Sequence, residues 1–183
     1  FEGGRPQNLT LLFSSDDNGE TWHYLTELFP CFWGKMFIHR GDLYMFGTST
    51  EYGDMLIGRS TDGGATWSAP VTLFRGCGGK NGEVGGRIWN TVEWGSWHRG
   101  YHAPMVISAP EDADLLDPES WTFSEPIKYD KTWPGLPEGD STGNIEGTLV
   151  VFPDGHLYNV MRYDMSKMNP NYGMALIYCV NTE

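Results

Sequence analysis

The sequence predicts an all-β fold, a β-propeller fragment of about three blades, and three observations carry that prediction. First, Ser15-Asp16-Asp17-Asn18-Gly19-Glu20-Thr21-Trp22 and Ser60-Thr61-Asp62-Gly63-Gly64-Ala65-Thr66-Trp67 share the pattern Ser-x-Asp-x-Gly-x-Thr-Trp and start 45 residues apart. Second, a hairpin template travels with them: Gly41-Asp42-Leu43-Tyr44 and Gly86-Arg87-Ile88-Trp89 also lie 45 apart, and Gly155-His156-Leu157-Tyr158 repeats the form. Third, 24 Gly, 8 Trp, 9 Tyr and 9 Phe in 183 residues suit short strands joined by tight turns, with aromatic rings wedged between sheets. Each period is the size of a four-stranded blade.

Taken in order, the repeat units run roughly 1–30, 31–75, 76–128 and 145–183, with an insertion at 126–144. In the first two turn motifs, Asp and Ser oxygens can bond nearby backbone N–H groups. Gly supplies positive φ, and Trp is expected to pack into the sheet. Ser15, Asp17, Gly19, Thr21, Trp22, Ser60, Asp62, Gly64, Thr66 and Trp67 are therefore structural residues. A calcium loop is the alternative for Asp16-Asp17-Asn18-Gly19, but the spacing and the terminal Glu of such a loop are missing. His39, Arg40 and Asp42 fall in a hairpin turn and are expected to be solvated.

The third unit has lost the turn motif. Trp121 answers to Trp67 after about nine added residues near Glu111–Ser120, and about fifteen more enter at Pro126–Asn144. That second loop contains Trp133-Pro134-Gly135 and runs into Glu146. Long loops on a rigid scaffold commonly carry function, although a solvated insertion is the ordinary alternative.

The fourth unit opens with Glu146 to Arg162, two β-rich runs around Pro153-Asp154-Gly155. A three-residue turn would set Phe152 against His156 and Glu146 directly opposite Arg162; a two-residue turn would turn Arg162 to the other face. The first register is preferred. Repeat offsets from Arg162 bring Glu93 to the corresponding strand end and make it a second site candidate. Trp97-His98-Arg99-Gly100-Tyr101-His102 is dense in groups that touch sugars or move protons, with aromatic packing between blades as the ordinary alternative.

The net charge of −12 disfavours nucleic acid and anionic membrane surfaces as partners. No apolar run approaches the length of a membrane-spanning helix. Cys31, Cys77 and Cys179 lack metal spacing, and neither a metal nor any other cofactor is expected. The opening Phe-Glu-Gly-Gly-Arg-Pro reads as a cut within a longer protein.

The two turns resemble the Asp-boxes of the sialidase (neuraminidase) superfamily, and the Glu146 hairpin resembles, with few adjustments, that family's Glu-x-x-Val-Val-x-x-x-Asp-Gly-x-Leu-x-x-x-x-Arg segment through Glu146, Val150, Val151, Asp154, Gly155, Leu157 and Arg162, the Val-Val pair lying one position later here. The resemblance implies a six-bladed, secreted or periplasmic exo-glycosidase acting on a terminal acidic sugar of a glycan. It makes Glu146 the carboxylate that deprotonates a tyrosine nucleophile. Arg162 becomes one arginine of a substrate-carboxylate clamp. Glu93, Arg99, Tyr101, His102 and Trp133, singled out above or in the inserted loop by their residue types and positions, are expected as further substrate contacts. The Arg-Ile-Pro motif and the Asp acid/base expected before the first box are absent from Phe1–Thr10, and the third arginine and the nucleophile should follow residue 183. The missing blades of the same propeller are thus an expected partner. Two alternatives stand beside this one: a propeller polysaccharide lyase or hydrolase acting on uronate-containing glycans through His102, Tyr101 and Arg99, and a carbohydrate-binding propeller without chemistry.

Overall fold

A computed structural model describes residues 9–75, 77–84, 87–96, 100–136, 141–151, 156–164 and 176–182. The Pro153-Asp154-Gly155 turn and Arg99 lie outside them. The described residues form thirteen strands in four sheets and no α-helix. Contacts divide the chain into two compact units, Phe1–Gly78 with Leu116–Pro118 and Gly79–Leu115 with Glu119–Glu183.

The first unit holds a two-stranded sheet, β1 (Thr10–Ser14) and β2 (His23–Leu28), and a four-stranded meander, β3 (Phe32–His39), β4 (Asp42–Thr48), β5 (Met55–Ser60) and β6 (Val71–Phe74). β4 and β5 are near-continuous apolar runs because central strands covered on both faces need no alternation. Tyr44, Met45, Phe46, Met55, Leu56 and Ile57 are all buried there. The β3–β4 turn is two residues long, with Arg40 at φ 51° and Gly41 at φ 88°, the left-handed pair that matches strand twist. Asp42 departs from its expected solvated state. Its carboxylate accepts from Arg59 Nε at 2.8 Å, and that guanidinium lies over the Tyr44 ring, 5.9 Å from its centroid.

Both Ser-x-Asp-x-Gly-x-Thr-Trp turns close outer hairpins, β1–β2 and β5–β6, and they do so with one bonding pattern. Gly19 N–H donates to Ser15 Oγ at 2.8 Å and Thr21 N–H to Asp17 Oδ1 at 2.9 Å. Gly64 N–H donates to Ser60 Oγ at 2.8 Å and Thr66 N–H to Asp62 Oδ1 at 2.9 Å. The indole N–H of each Trp returns to the turn, Trp22 to Gly19 O at 3.1 Å and Trp67 to Gly64 O at 2.9 Å. The surroundings differ. Trp67 packs against Leu12, Cys31 and Met45, whereas Trp22 is 62% exposed and does not pack into the sheet as expected. The reason is visible in the second turn: a Cβ on Gly64 would sit 2.9 Å from Leu12 Cδ2, so that turn docks on the neighbouring sheet.

Hydrogen bonds from the Thr hydroxyls, Thr21 and Thr66, lead the set that holds Asp17 and Asp62 down at about 2, from an ordinary value of 3.8. A carboxylate with a depressed folded-state pKa stabilises the fold fully above its unfolded value and loses that contribution as pH falls through the folded one. Thermal midpoints should therefore drop between about pH 4 and pH 2. The Asp17→Asn, Asp62→Asn double variant should show a flatter acid slope; an equal slope would remove the boxes from the acid response.

The second unit begins with β7 (Cys77–Val84), β8 (Arg87–Ser96), β9 (Tyr101–Pro110) and β10 (Thr122–Phe123), in the sheet order β10-β9-β8-β7. Trp121 keeps its place before the outer strand although the turn motif is gone. It is buried, and its indole N–H donates to Leu115 O at 3.0 Å, a carbonyl six residues back rather than three. The last sheet is β11 (Asn144–Val151), β12 (Leu157–Tyr163) and β13 (Leu176–Thr182). The two sheets of this unit are joined by a buried bond, Thr91 Oγ1 donating to Gly147 O at 2.6 Å. Thr91→Val keeps the shape and orphans that carbonyl, so a loss of about 1–3 kcal/mol is expected in denaturant unfolding.

Candidate functional site

Four residues from four strands of the second unit come together in linked pairs. Glu93 comes from β8, His102 from β9, Glu146 from β11 and Arg162 from β12. The preferred hairpin register holds from Thr148↔Val160 to Val151↔Leu157, and then it slips by one. Arg162 is opposite Ile145, not Glu146 as the unbroken ladder required. Glu146 and Gly147 form a β-bulge, with Glu146 at φ 59°. A bulge re-aims a side chain without ending the strand. Here it carries the Glu146 carboxylate to Arg162: Arg162 Nε lies 3.3 Å from Glu146 Oε2, with the side chains 41% and 38% exposed.

Two features allow a non-glycine residue to hold a left-handed conformation at this point. Gly147 has no room for a side chain, since its Cβ would sit 2.5 Å from Asn159 Oδ1. The Glu146 N–H, turned out of the ladder, donates to Glu93 Oε2 at 3.1 Å. Glu93 Oε1 lies 3.0 Å from His102 Nδ1. An ionised carboxylate only accepts, so Nδ1 carries the proton in this pairing. Glu93 is 15% exposed and His102 5%, which puts this pair behind the half-exposed Glu146 and Arg162.

The segment before β11 seals the back of the site. His102 N–H donates to Thr142 O, His102 and Gly143 form a parallel bridge, and Asp164 N–H donates to Gly143 O at 3.0 Å. Gly143 is held between β9 and the end of β12 at φ 116°, where a Cβ would meet His102 O at 2.1 Å. Thr142 and Asp164 are both buried, and the Thr142 hydroxyl donates to the Asp164 carboxylate. Neither residue stood out in the sequence. The available signal was the run Gly139-Asp140-Ser141-Thr142-Gly143 at the end of the inserted loop.

The other sequence candidates are placed as follows. Tyr101 is half-buried against Trp94, ring centroids 5.4 Å apart. Trp133 meets Tyr129 edge-on at 6.4 Å, and Tyr129 in turn lies 5.6 Å from Tyr163. Alternation along β12 sets the buried Tyr163 on the face opposite Arg162, so Trp133 connects to the site's rear. Burial raises the Tyr163 phenol well above its ordinary pKa, which suits a packed ring rather than an activated hydroxyl. Among the described residues, no group of three His, Cys, Asp or Glu side chains could hold a metal ion.

No family model and no curated protein sequence matches the chain. Solved structures do. An α-L-arabinofuranosidase from Lactobacillus brevis superimposes with TM-score 0.56 at 20% identity, over 88% of this chain and 56% of that one. An ulvan lyase of polysaccharide lyase family PL25, bound to GlcA(1-4)Rha3S, gives 0.59 at 13% identity, over 88% and 43%. The α-L-arabinofuranosidase arb93a from Fusarium graminearum, in complex with an iminosugar inhibitor, gives 0.59 at 14% identity, over 94% and 54%. The fold is a β-propeller. The chain spans about half the length of these propellers, and at these identities the likeness is one of fold.

Proposed function

We propose that the protein is a carbohydrate-active propeller enzyme, an exo-glycosidase of sialidase type that releases a terminal acidic sugar. The observation that carries this reading is the half-exposed meeting of Glu146 and Arg162 at the strand ends. A carboxylate so placed can take the proton of a hydroxyl nucleophile, and the guanidinium supplies a planar fork for the carboxylate of the sugar. The contact to Glu146 uses Arg162 Nε, and in this reading the terminal nitrogens of the guanidinium are the groups that grip the sugar carboxylate. A neutral hydroxyl nucleophile suits a sugar that bears a carboxylate on its anomeric carbon, because a carboxylate nucleophile would be repelled by that group. In this reading the nucleophile, the acid/base and the remaining arginines would come from other parts of a complete propeller. Glycoside hydrolases and a lyase among proteins of the same fold add support for action on glycans.

The second reading, a lyase for uronate-containing glycans, is favoured by the His102–Glu93 pair, a histidine oriented by a carboxylate. The 5% exposure of His102 counts against it as the group that removes a substrate proton. Assay of the full-length protein separates the two. Release of 4-methylumbelliferone from its α-sialoside supports the first; ultraviolet absorbance of an unsaturated uronate supports the second. A glycan that binds without turnover supports the non-enzymatic propeller.

A further inference from the structure

Glu93 has both oxygens committed inside the site, one to His102 and one to the main chain of Glu146, and the second of these bonds has no counterpart in an ordinary sheet. We propose that Glu93 is a positioning residue: it holds the bulge that delivers the Glu146 carboxylate, and His102 locks Glu93 in turn. This assignment replaces the substrate-contact role expected from the repeat offset, and it rests on the reading of Glu146 as the proton-accepting group.

The physical argument begins with the backbone. A left-handed φ costs an L residue about 1–2 kcal/mol and persists only where surroundings over-determine it. Glu146 stands at φ 59° without being glycine. The bulge turns its N–H out of the β11–β12 ladder, and a buried N–H needs a partner. The partner is a carboxylate from a strand 53 residues away in sequence, and a charge-assisted bond is stronger than the neutral carbonyl bond it replaces. A free-swinging carboxylate would hold nothing. Glu93 is fixed by the His102 Nδ1–H, and the His102 backbone is fixed by Thr142 O and the parallel bridge to Gly143. The chain of support runs from the inserted loop through His102 and Glu93 to Glu146, whose carboxylate faces Arg162.

Without Glu93, the extended conformation regains ground at Glu146 and the carboxylate swings from the Arg162 side. Arg162 itself, in the regular part of β12, stays in place. Loss of Glu93 should therefore affect turnover and spare substrate affinity. Glutamine at this position retains an oxygen for the Glu146 N–H, and its amide N–H can donate to Nδ1 once the His102 proton moves to Nε2, so it should rescue; alanine should not.

The test uses the full-length protein. Hydrogen exchange across residues 144–149 is measured for wild type, Glu93→Ala and Glu93→Gln, alongside kcat and KM on the 4-methylumbelliferyl α-sialoside. Expected are exchange at Glu146 at least about tenfold faster in Glu93→Ala, near wild type in Glu93→Gln, and kcat down at least about tenfold with KM within about twofold in the alanine variant only. Unchanged exchange in Glu93→Ala overturns the proposal whatever the assay shows. A KM rise with kcat retained overturns it in favour of direct substrate contact. If wild type turns over no sialoside but the exchange pattern appears, the positioning role stands and the sialidase reading falls.

Discussion

Glu146→Gln in the full-length protein is expected to lower kcat by about 10²- to 10⁴-fold, the usual contribution of a positioned proton acceptor, with folding intact. The substitution is nearly isosteric. It leaves the backbone bond to Glu93 in place, because that bond uses the Glu146 N–H and not its side chain. What disappears is the charge facing Arg162. An ion pair with side chains 41% and 38% exposed is screened by solvent, so its loss should move stability by no more than about 1 kcal/mol. A large kinetic effect beside a small thermal one separates chemistry from architecture. Turnover within about threefold of wild type would take Glu146 out of the reaction and leave an ordinary cross-strand pair.

The largest stability effect is expected at Gly143. Alanine there meets two obstacles, a left-handed φ of 116° and a Cβ only 2.1 Å from the carbonyl oxygen of His102. The obstructing atom belongs to the backbone of a central strand, so it cannot swing aside as a side chain would. Conformational strain of about 1–2 kcal/mol and overpacking of about 1–3 kcal/mol together give about 2–5 kcal/mol. Gly135→Ala is the control: φ is 81°, but nothing lies within 4 Å of the new Cβ, so only the conformational part applies. Equal denaturant midpoints for the two variants would show that the segment before β11 is not clamped as described. The Gly143 variant should also lose activity, because the displaced loop is the one that fixes His102.

The repeated turns were legible because everything that makes them is local. Ser, Asp, Gly, Thr and Trp at set spacing satisfy one another within eight residues, and both turns form the same bonds. Strand identity, the place of Trp121 and the pairing of Thr148–Val151 with 157–160 followed from pattern in the same way. The site was legible only in outline. Glu146 and Arg162 do meet, but by a bulge that the alternation of Thr-Leu-Val-Val could not announce. The bulge depends on a carboxylate from another sheet and on the space that Gly147 leaves for Asn159, and neither relation has a trace in the local sequence. Asp42 escaped for the same reason: its partner Arg59 sits one strand over. Trp22 departs from expectation because a turn's internal bonds say nothing of what lies beside it.

That last contrast makes the two tryptophans natural spectroscopic reporters. Trp22 and Trp67 donate to equivalent carbonyls in matching turns, yet one ring meets solvent and the other an apolar wall. Emission from the pair should differ in wavelength and in access to iodide quenching for reasons of environment alone, which gives the first unit a built-in ruler for whatever comes to rest against Trp22.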